Sequence, residues 1–356
     1  MALLVSAACS AMAAPVLVYK GDTLEFDGSW KREQSGVVSE SLNIPEVSGI
    51  ACSRVTPGYI WMESDDIEKY IVATDEKGKN RACKLKMSKT IGWDWEDMSG
   101  GVYEGTNYLF IGSFGDNDEK RTDYRIIWFE EPAIDSVNMP EQTVTPNYIR
   151  YKYPDGKSHN NEALMYDNVD QMIYIITKVY YNVCQVFRIP FRLDYNTEEV
   201  QTLEYVCDLG VKSDLGDGSK PYKGFHLVTG ADISPDGKYI LIKNHNNIVA
   251  KFSWVLIWKR QEGESVAETL TNGTPKPIWH YNYEWQGEAI CWLDDNTFYT
   301  TSDSDGEPPI YKYTRKWGDN IETVQAKNDN RLVMMNGAIL LRTAQGLYSL
   351  DGRKVQ

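Results

Sequence analysis

A short motif recurs five times along the chain, and this repeat constrains the fold more than any other feature. Each copy has a small or acidic pair, then one aliphatic residue, then a small or soft residue. Copies follow one another at intervals of roughly 50 to 70 residues, which indicates one supersecondary unit stacked several times. The aliphatic positions are Ile50, Met98, Leu164, Ile233 and Ile290.

The units share an internal order of strands. The motif strand is followed by a tight polar turn and then by a second strand of several consecutive apolar residues, as at residues 59–62 and 172–176. Such short apolar runs between turn residues are typical of strands buried on both faces. A third strand and a more polar fourth strand follow, and a four-stranded repeat of this length is the blade of a β-propeller. We therefore predict an all-β fold, a single β-propeller of five four-stranded blades.

The fifth unit ends near Thr314 without a fourth strand of its own. Propellers commonly close their ring with a strand from the other terminus, and residues 37–44, just before the first motif, are the predicted donor. The alternative is a six-bladed ring, in which residues 17–26 and the C-terminal tail build the extra blade.

Charge and hydropathy limit the partners of this chain. The net charge of −14 argues against a nucleic-acid partner, which would require a basic face. Beyond the N-terminus there is no apolar run long enough to span a membrane. We expect a monomer that handles cations, glycans or neutral small molecules.

The N-terminus predicts export. Residues 1–14 are apolar and small, and Ala11-Met12-Ala13 matches a signal-peptidase pattern. The segment lacks the basic residues that usually open a signal peptide, so we treat it as a truncated one, with a buried N-terminal helix as the alternative. The expected location is secreted or cell-surface, by way of the periplasm.

The cysteines do not form an obvious disulfide framework. Without Cys9 five remain, an odd number. Cys184 and Cys207 could meet on adjacent strands, but we favour five small buried thiols.

One set of stretches carries a family resemblance, and it consists of residues 48–51, 95–98, 112–117 with Arg121, 162–164, 177–178, 229–237 and 287–290. These stretches resemble a family of secreted bacterial β-propellers of largely unassigned function, distantly similar to gluconolactonase-like and phytase-esterase-like propellers. The resemblance covers roughly residues 47–313. In gluconolactonase-like relatives a divalent ion lies on the axis, held by acidic and amide side chains from first strands. The resemblance implies that Glu96, Glu162, Asp232 and Glu288 would hold a divalent cation here, with Ca²⁺ as the expected cofactor.

The C-terminal segment reads as a separate element. Residues 332–341 predict a hairpin around Asn336-Gly337. Residues 346–355 resemble the end of the C-terminal sorting domain used by type IX secretion in Bacteroidetes, which would make the secretion machinery a partner. The alternative is a hairpin that closes the last blade. The predicted organisation is a signal peptide at 1–14, the propeller at 15–314, a linker at 315–330 and the sorting-like tail at 331–356.

Polar residues concentrate at one end of the predicted ring. This end, the axial rim, carries the residues that precede each first strand and the loops between second and third strands. Carboxylates brought together there would raise each other's pKa, and a Ca²⁺ ion with its 6–8 oxygen ligands would relieve the repulsion. In the alternative, each carboxylate accepts hydrogen bonds from the backbone of a neighbouring blade.

Three functions remain open, so the sequence does not decide whether the protein is an enzyme. The first is a metal-assisted hydrolase of a lactone, ester or phosphoester, with His159 or Lys178 assisting the cation. The second is a glycan- or peptide-binding module with Trp95 and Trp285 as stacking platforms. The third is a structural surface protein. Further ligand-binding candidates at the axial rim are Asp97, Asp116, Asn117 and Asp303.

Overall fold

Five antiparallel sheets follow one another along the chain and close into a ring. The computed structural model of this protein describes residues 16–65, 70–89, 91–179, 183–213, 224–225, 227–245, 253–278, 284–304 and 306–316, and five short strands beyond residue 323. Within these residues the innermost strand of each sheet packs against that of the next, and the last packs against the first. The predicted all-β propeller of five four-stranded blades is therefore confirmed.

Each blade is ordered from the axis outward as the sequence predicted. Glu141–Val144 and Val200–Thr202 add a parallel outer strand to blades 1 and 2. From the innermost strand outward, blade 1 consists of Val47–Cys52, Tyr59–Ser64, Tyr70–Asp75 and Cys83–Met87. Blade 2 consists of Trp95–Tyr103, Thr106–Ser113, Tyr124–Glu130 and Asn147–Lys152, and blade 3 of Asn161–Asp167, Met172–Thr177, Cys184–Pro190 and Glu204–Leu209. Blade 4 consists of Leu227–Ile233, Tyr239–His245, Ser253–Lys259 and Lys276–Ile278, and blade 5 of Gly287–Asp294, Thr297–Ser302, Pro309–Arg315 and Trp30–Val37.

An N-terminal strand closes the ring as predicted, but its bounds differ. The fourth strand of blade 5 is Trp30–Val37, not residues 37–44. An outermost strand is half exposed, so its mostly polar sequence suits that position. The predicted donor segment instead turns through the 3-10 helix Glu40–Leu42, and Val38, Leu42 and Ile44 are buried in the apolar cluster between blades 5 and 1.

The core of the ring lies between blades. Among the described residues, apolar side chains from facing sheets form clusters that join four of the five pairs of neighbouring blades, which explains why the second strands there are apolar on both faces. The clusters centre on Trp61 and Ile111 between blades 1 and 2, on Phe110 and Leu164 between blades 2 and 3, on Ile176 and Ile242 between blades 3 and 4, and on Ile50 and Ala289 between blades 5 and 1.

Two smaller elements accompany the ring. Leu17–Tyr19 and Asp22–Thr23 form a sheet with Val211–Ser213 and Gly224–Phe225, so residues 17–26 do not build a sixth blade with the C-terminal tail. The helix Val266–Asn272 was not predicted. Ser265 and Glu268 close a capping box at its first turn. Among the described residues, no helix has the length and apolar character needed to cross a membrane.

Residues 29–31 and 314–356 form a second compact unit. The predicted hairpin is present, because Arg331–Met335 pairs antiparallel with Ala338–Thr343, while the turn between them lies outside the described residues. The sheet of this unit also contains Val324–Gln325, Gly346–Ser349 and Lys354–Val355, so the predicted linker at 315–330 contributes a strand to it. The signal peptide at 1–14 lies outside the described residues, and the domain boundaries and the sorting role stay predictions.

Candidate functional site at the axial rim

All five innermost strands carry a β-bulge at the same place near the axial rim. In blades 1 to 4 the pairing between the innermost and the second strand skips one residue of the innermost strand. In blade 5 the extra residue is one of the two residues Glu288 and Ala289. A bulge leaves its extra residue out of the ladder and re-aims that side chain. Because the five innermost strands surround the axis, the bulges present one polar side chain from each blade to the same end of the ring. These residues are Ser48, Glu96, Glu162, Thr229 and Glu288.

The bulges correct the predicted position of Asp232. The bulged residue of blade 4 is Thr229, so the residue equivalent to Ile50 is Ala231, and the sequence repeat was aligned two residues too late in this blade. Asp232 instead accepts a hydrogen bond from Trp292 N (2.8 Å) and from Ser99 Oγ (3.3 Å). Burial raises the pKa of Asp232 to about 6. Its carboxylate therefore joins blades 5 and 2, which is the bridging role named as the alternative to metal binding.

Lys178 lies among the remaining three predicted metal ligands. Its Nζ is 2.7 Å from Glu162 Oε2 and 3.7 Å from Glu288 Oε1, and all three side chains are less than a tenth exposed. Burial alone would lower the pKa of Lys178, but the carboxylates of Glu162, Glu288 and Glu96 raise it above its ordinary value. The ammonium is therefore the counter-ion of the acidic cluster.

Two of the carboxyl groups near Lys178, those of Glu288 and Glu96, have a raised pKa. Burial, opposed by Lys178, raises the pKa of Glu288 to about 8. Burial and the nearby Glu162 raise the pKa of Glu96 well above its ordinary value. His245 faces Glu288 with its Nδ1 3.9 Å from Oε1, and burial together with Lys178 lowers the pKa of this imidazole to about 3. The imidazole is thus neutral, and Lys178 carries the positive charge.

The four predicted metal ligands are divided between two roles in this arrangement. Three of them surround an ammonium and Asp232 is committed elsewhere. Among the residues that the structure describes, no group of three or more His, Cys, Asp or Glu side chains is placed to hold a metal ion. The axial Ca²⁺ stays a prediction, and we derive no chemical step through it.

A polar cavity of about 720 Å³ opens beside the cluster, between blades 2 and 3. Both predicted acid–base residues line it. Lys178 connects the cavity to the acidic cluster. The Nε2 atom of His159 is 3.0 Å from Asp155 Oδ2, and the His159 ring packs against Tyr153. The rest of the lining consists of Asn117, Asp118, Glu119, Lys157, Ser158, Asn160, Val179, Val183 and Gln185.

Asn160 is a buried connecting residue for which the sequence predicted no role. Its Oδ1 accepts a hydrogen bond from Asp116 N (2.7 Å), and its Nδ2 donates to Asn117 Oδ1 (3.0 Å) and to Glu162 Oε1 (3.4 Å). It thereby links the loop of blade 2 to the carboxylate that holds Lys178. Its position directly before a motif strand was the available signal.

Asp97 and Trp95 are buried rather than exposed to a ligand. Asp97 follows the bulge and is completely buried, with its carboxylate bonded to backbone N–H groups. Trp95 was predicted as a stacking platform, but it is completely buried between blades 1 and 2 and donates its Nε1–H to Ile91 O. Apolar packing of its whole ring leaves no face for a ligand.

The other predicted ligand-binding residues remain near the axial rim. Trp285 is 44% exposed and donates to Gln286 Oε1. Gln286 also donates to Asp303 Oδ2 (3.3 Å). Asp116 is buried and accepts from Arg121 N and Tyr124 Oη, so it shapes its own loop, whereas Asn117 lines the cavity.

Fold and site together define a five-bladed β-propeller with a lysine-centred acidic cluster beside a polar cavity at its axial rim. No protein-family model matches the chain, and no curated protein matches it in sequence.

Solved structures match it at low similarity. The PQQ-bound aldose sugar dehydrogenase of Streptomyces coelicolor is 10% identical over 81% of this chain and 99% of that chain, with a TM-score of 0.39. The Cps50 (Swd1) β-propeller domain of Myceliophteria thermophila is 10% identical over 75% of this chain and 83% of that chain, with a TM-score of 0.35. A 6-phosphogluconolactonase-like protein of Bacteroides uniformis is 11% identical over 84% of this chain and 81% of that chain, with a TM-score of 0.33. At these values the likenesses carry no argument about function.

Proposed function

We propose that the cavity at the axial rim binds a small, hydroxyl-rich ligand and hydrolyses a lactone or ester bond in it. The supporting observation is that His159 and Lys178 line the same cavity of about 720 Å³. A cavity of this size suits a small ligand. Its lining of amides, hydroxyls and charged groups, with Val179 and Val183 as the apolar members, suits a ligand rich in hydroxyl groups.

His159 is the proposed general base. The Asp155 carboxylate accepts from Nε2–H at 3.0 Å, which orients the imidazole and leaves Nδ1 to take a proton from a water molecule. The resulting hydroxide adds to the carbonyl carbon of the ligand. The imidazolium then returns the proton to the leaving alkoxide, so the bond breaks with water added across it and no other reactant consumed.

Lys178 is the proposed stabiliser of the negative charge that develops on the carbonyl oxygen. A fixed and nearly buried ammonium stabilises such a charge more than solvent does. The bond to Glu162 and the bond from Lys178 N to Asn160 O hold this residue in place before a ligand arrives. The lysine therefore needs little rearrangement during the reaction.

Turnover of a panel of sugar lactones, aryl esters and phosphoesters tests the proposal. His159→Ala should lower kcat/KM for the preferred substrate by about 10²–10⁴-fold, the usual contribution of a general base. Asp155→Asn should lower it less, because the imidazole stays but loses its orientation. Asp294→Asn is the control, since this exposed carboxylate lies on the opposite end of the ring. Hydrolysis that His159→Ala leaves unchanged would contradict the proposal.

A metal-assisted hydrolase of a lactone, ester or phosphoester remains a separate proposal that rests on the family resemblance. Its distinguishing result would be turnover that stops with chelator and resumes with a divalent cation.

Glycan or peptide binding without catalysis is the second candidate. It is supported by two exposed indoles, Trp285 at 44% and Trp93 at 59% exposure, with the Arg121 guanidinium 5.2 Å from the Trp93 ring. Exposed aromatic rings supply stacking area at ligand sites. Glycan-array binding that Trp285→Ala or Trp93→Ala abolishes, with no turnover of the panel, would favour this function over hydrolysis.

Export to the cell surface through the periplasm, with the tail at 331–356 read by a secretion system, is proposed from the sequence patterns at the two termini. Mass spectrometry of protein from the native cell tests it. A mature N-terminus near Ala14 or Pro15 supports export, and cytoplasmic protein with Met1 intact contradicts it.

A further inference from the structure

We propose that Cys52 and Cys291 form a disulfide that locks the seam between blades 1 and 5 when the protein folds in the presence of a disulfide oxidant. The two Sγ atoms lie 3.3 Å apart, and both thiols are buried. Cys52 ends the innermost strand of blade 1 and Cys291 lies in the innermost strand of blade 5. They face each other inside the apolar cluster that joins those blades.

The geometry requires little change to make the bond. A disulfide has an S–S length of about 2.05 Å, so the sulfurs would approach by about 1.3 Å through small side-chain rotations. The pair that the sequence suggested is less well placed. Strand register sets Cys184 opposite Leu209 and Cys207 opposite Val186, so those two cysteines are diagonal neighbours rather than direct partners.

The position of the pair gives the bond its effect. Cys52 and Cys291 are 239 residues apart, and the chain between them contains the innermost strands of blades 2, 3 and 4. In the absence of a bond, the three inner strands of blade 5 are held to blade 1 by non-covalent contacts, which include apolar packing and the Glu76–Lys312 ion pair. A cross-link over so long a loop restricts the unfolded chain strongly, and such loops give the largest entropic stabilisation.

The chemistry is thiol–disulfide exchange with a small disulfide such as oxidised glutathione. One thiolate attacks that disulfide and releases one glutathione thiol, and the second cysteine then displaces the other, so the protein loses two electrons and two protons and the oxidant gains them. Burial raises the pKa of the Cys291 thiol well above its ordinary value, which slows attack in the folded protein. The bond therefore forms during folding and is afterwards shielded from reductants.

The test compares the full chain refolded with oxidised and reduced glutathione against the same chain refolded with a strong reductant. Free thiols are then blocked and the protein is digested without reduction. We expect a peptide that joins Cys52 to Cys291, and a Tm higher than that of the reduced protein by on the order of 10 °C. Reduction of the oxidised protein under unfolding conditions should remove both.

Two variants sharpen the comparison. Cys291→Ala should remove the cross-linked peptide and the oxidant-dependent rise in Tm, whereas Cys184→Ala should keep both. If Cys291→Ala does not fold, peptide mapping of the wild-type chain still decides. Any of three results would overturn the proposal. The first is that Cys52 and Cys291 react with the thiol-blocking reagent after oxidative refolding, and the second is a Cys184–Cys207 cross-link in their place. The third is a cross-link without a rise in Tm.

Discussion

The carboxylate of Asp97 in blade 2 accepts a hydrogen bond from the backbone N–H of Ala231 in blade 4, at 3.2 Å, across the axis of the ring. The same oxygen accepts from Leu164 N of blade 3 at 2.8 Å, and the other oxygen accepts from Met98 N. One completely buried side chain thus satisfies backbone donors in three consecutive blades.

Replacing Asp97 should destabilise the whole ring. Asp97→Ala would leave the N–H groups of Leu164 and Ala231 buried without acceptors, at about 1–3 kcal/mol each. We expect a loss of about 3–5 kcal/mol in the free energy of unfolding, measured by urea denaturation. The exposed Asp22→Ala is the matched control and should change little. Equal stability of the two variants would show that other groups tie the blades at the axis.

Removing the ammonium of Lys178 should be similarly severe. Lys178→Met keeps the length of the side chain but leaves the buried Glu162 carboxylate without its counter-ion, a change that costs about 3–5 kcal/mol in comparable cases. Thermal unfolding measures the effect. Lys120→Met removes an exposed lysine from a surface pair with Asp118 and should leave Tm almost unchanged. A stable Lys178→Met would mean that the carboxyl groups are neutral without the lysine.

The same variant separates an ammonium from a metal at the axial rim. Because Nζ of Lys178 lies between Glu162 and Glu288, we expect the Tm of the wild-type protein to be indifferent to EDTA and to Ca²⁺. In Lys178→Met the freed carboxylates could accept a cation, so added Ca²⁺ should raise the Tm. A wild-type Tm that falls with EDTA, together with metal in the purified protein, would instead support the axial cation implied by the family resemblance.

Glu76 should make the seam between blades 1 and 5 sensitive to acid. Its carboxylate accepts from Lys312 Nζ and from Tyr299 Oη, both at 2.9 Å. The bond from Lys312, with further help from Tyr299, lowers the pKa of Glu76 to about 2 from its ordinary 4.5. Since the pKa in the folded state is the lower one, the stabilisation is present above about pH 4.5 and is lost as the pH falls towards 2.

Glu76→Gln should therefore be less stable than the wild type at pH 7 by about 1 kcal/mol, a figure reduced for solvent screening because the side chain is one-third exposed. The difference should shrink below pH 4.5 and vanish near pH 2. Urea denaturation across this range measures it, with the exposed Glu25→Gln as control. A difference that does not depend on pH would mean that the variant acts through shape and not through charge.

The closing strand should be needed for cooperative unfolding. A chain that begins at residue 38 lacks Trp30–Val37 and exposes the edge of Pro309–Arg315 in blade 5, whereas a chain that begins at residue 29 keeps the strand. We expect a broad transition for the first and a sharp one for the second, measured by calorimetry. A peptide of residues 29–37 should restore part of the lost cooperativity. Identical melting of the two chains would place the closure elsewhere.

The repeat could be predicted from the sequence because few residue types occupy the buried positions of the innermost strands. Ile50, Met98, Leu164 and Ile290 are completely buried, so each blade needs an aliphatic side chain there. The same argument failed in blade 4, where Ala231 occupies the equivalent position and Ile233 lies two residues beyond it.

The site was harder to predict because a bulge breaks the alternation of faces along a strand. Glu96 and Asp97 are neighbours in sequence, yet one belongs to the cluster around Lys178 and the other binds backbone donors of two other blades. Strand propensity and residue spacing do not distinguish the roles of these two residues.

The contact of Cys52 with Cys291 depends on ring closure over 239 residues and has no local signal. The helix at Val266–Asn272 did have one, the Ser265–Glu268 capping box, which was overlooked.

Ring closure by the N-terminal strand Trp30–Val37 also has a consequence for synthesis on the ribosome. Ser35 donates a hydrogen bond to Ile310, which is made 275 residues later. At about 5–20 residues per second, this partner appears roughly 15 to 55 s after the closing strand itself. During that interval the early segment has no sheet edge to join, so the nascent chain must be shielded from other exposed edges until the last blade emerges.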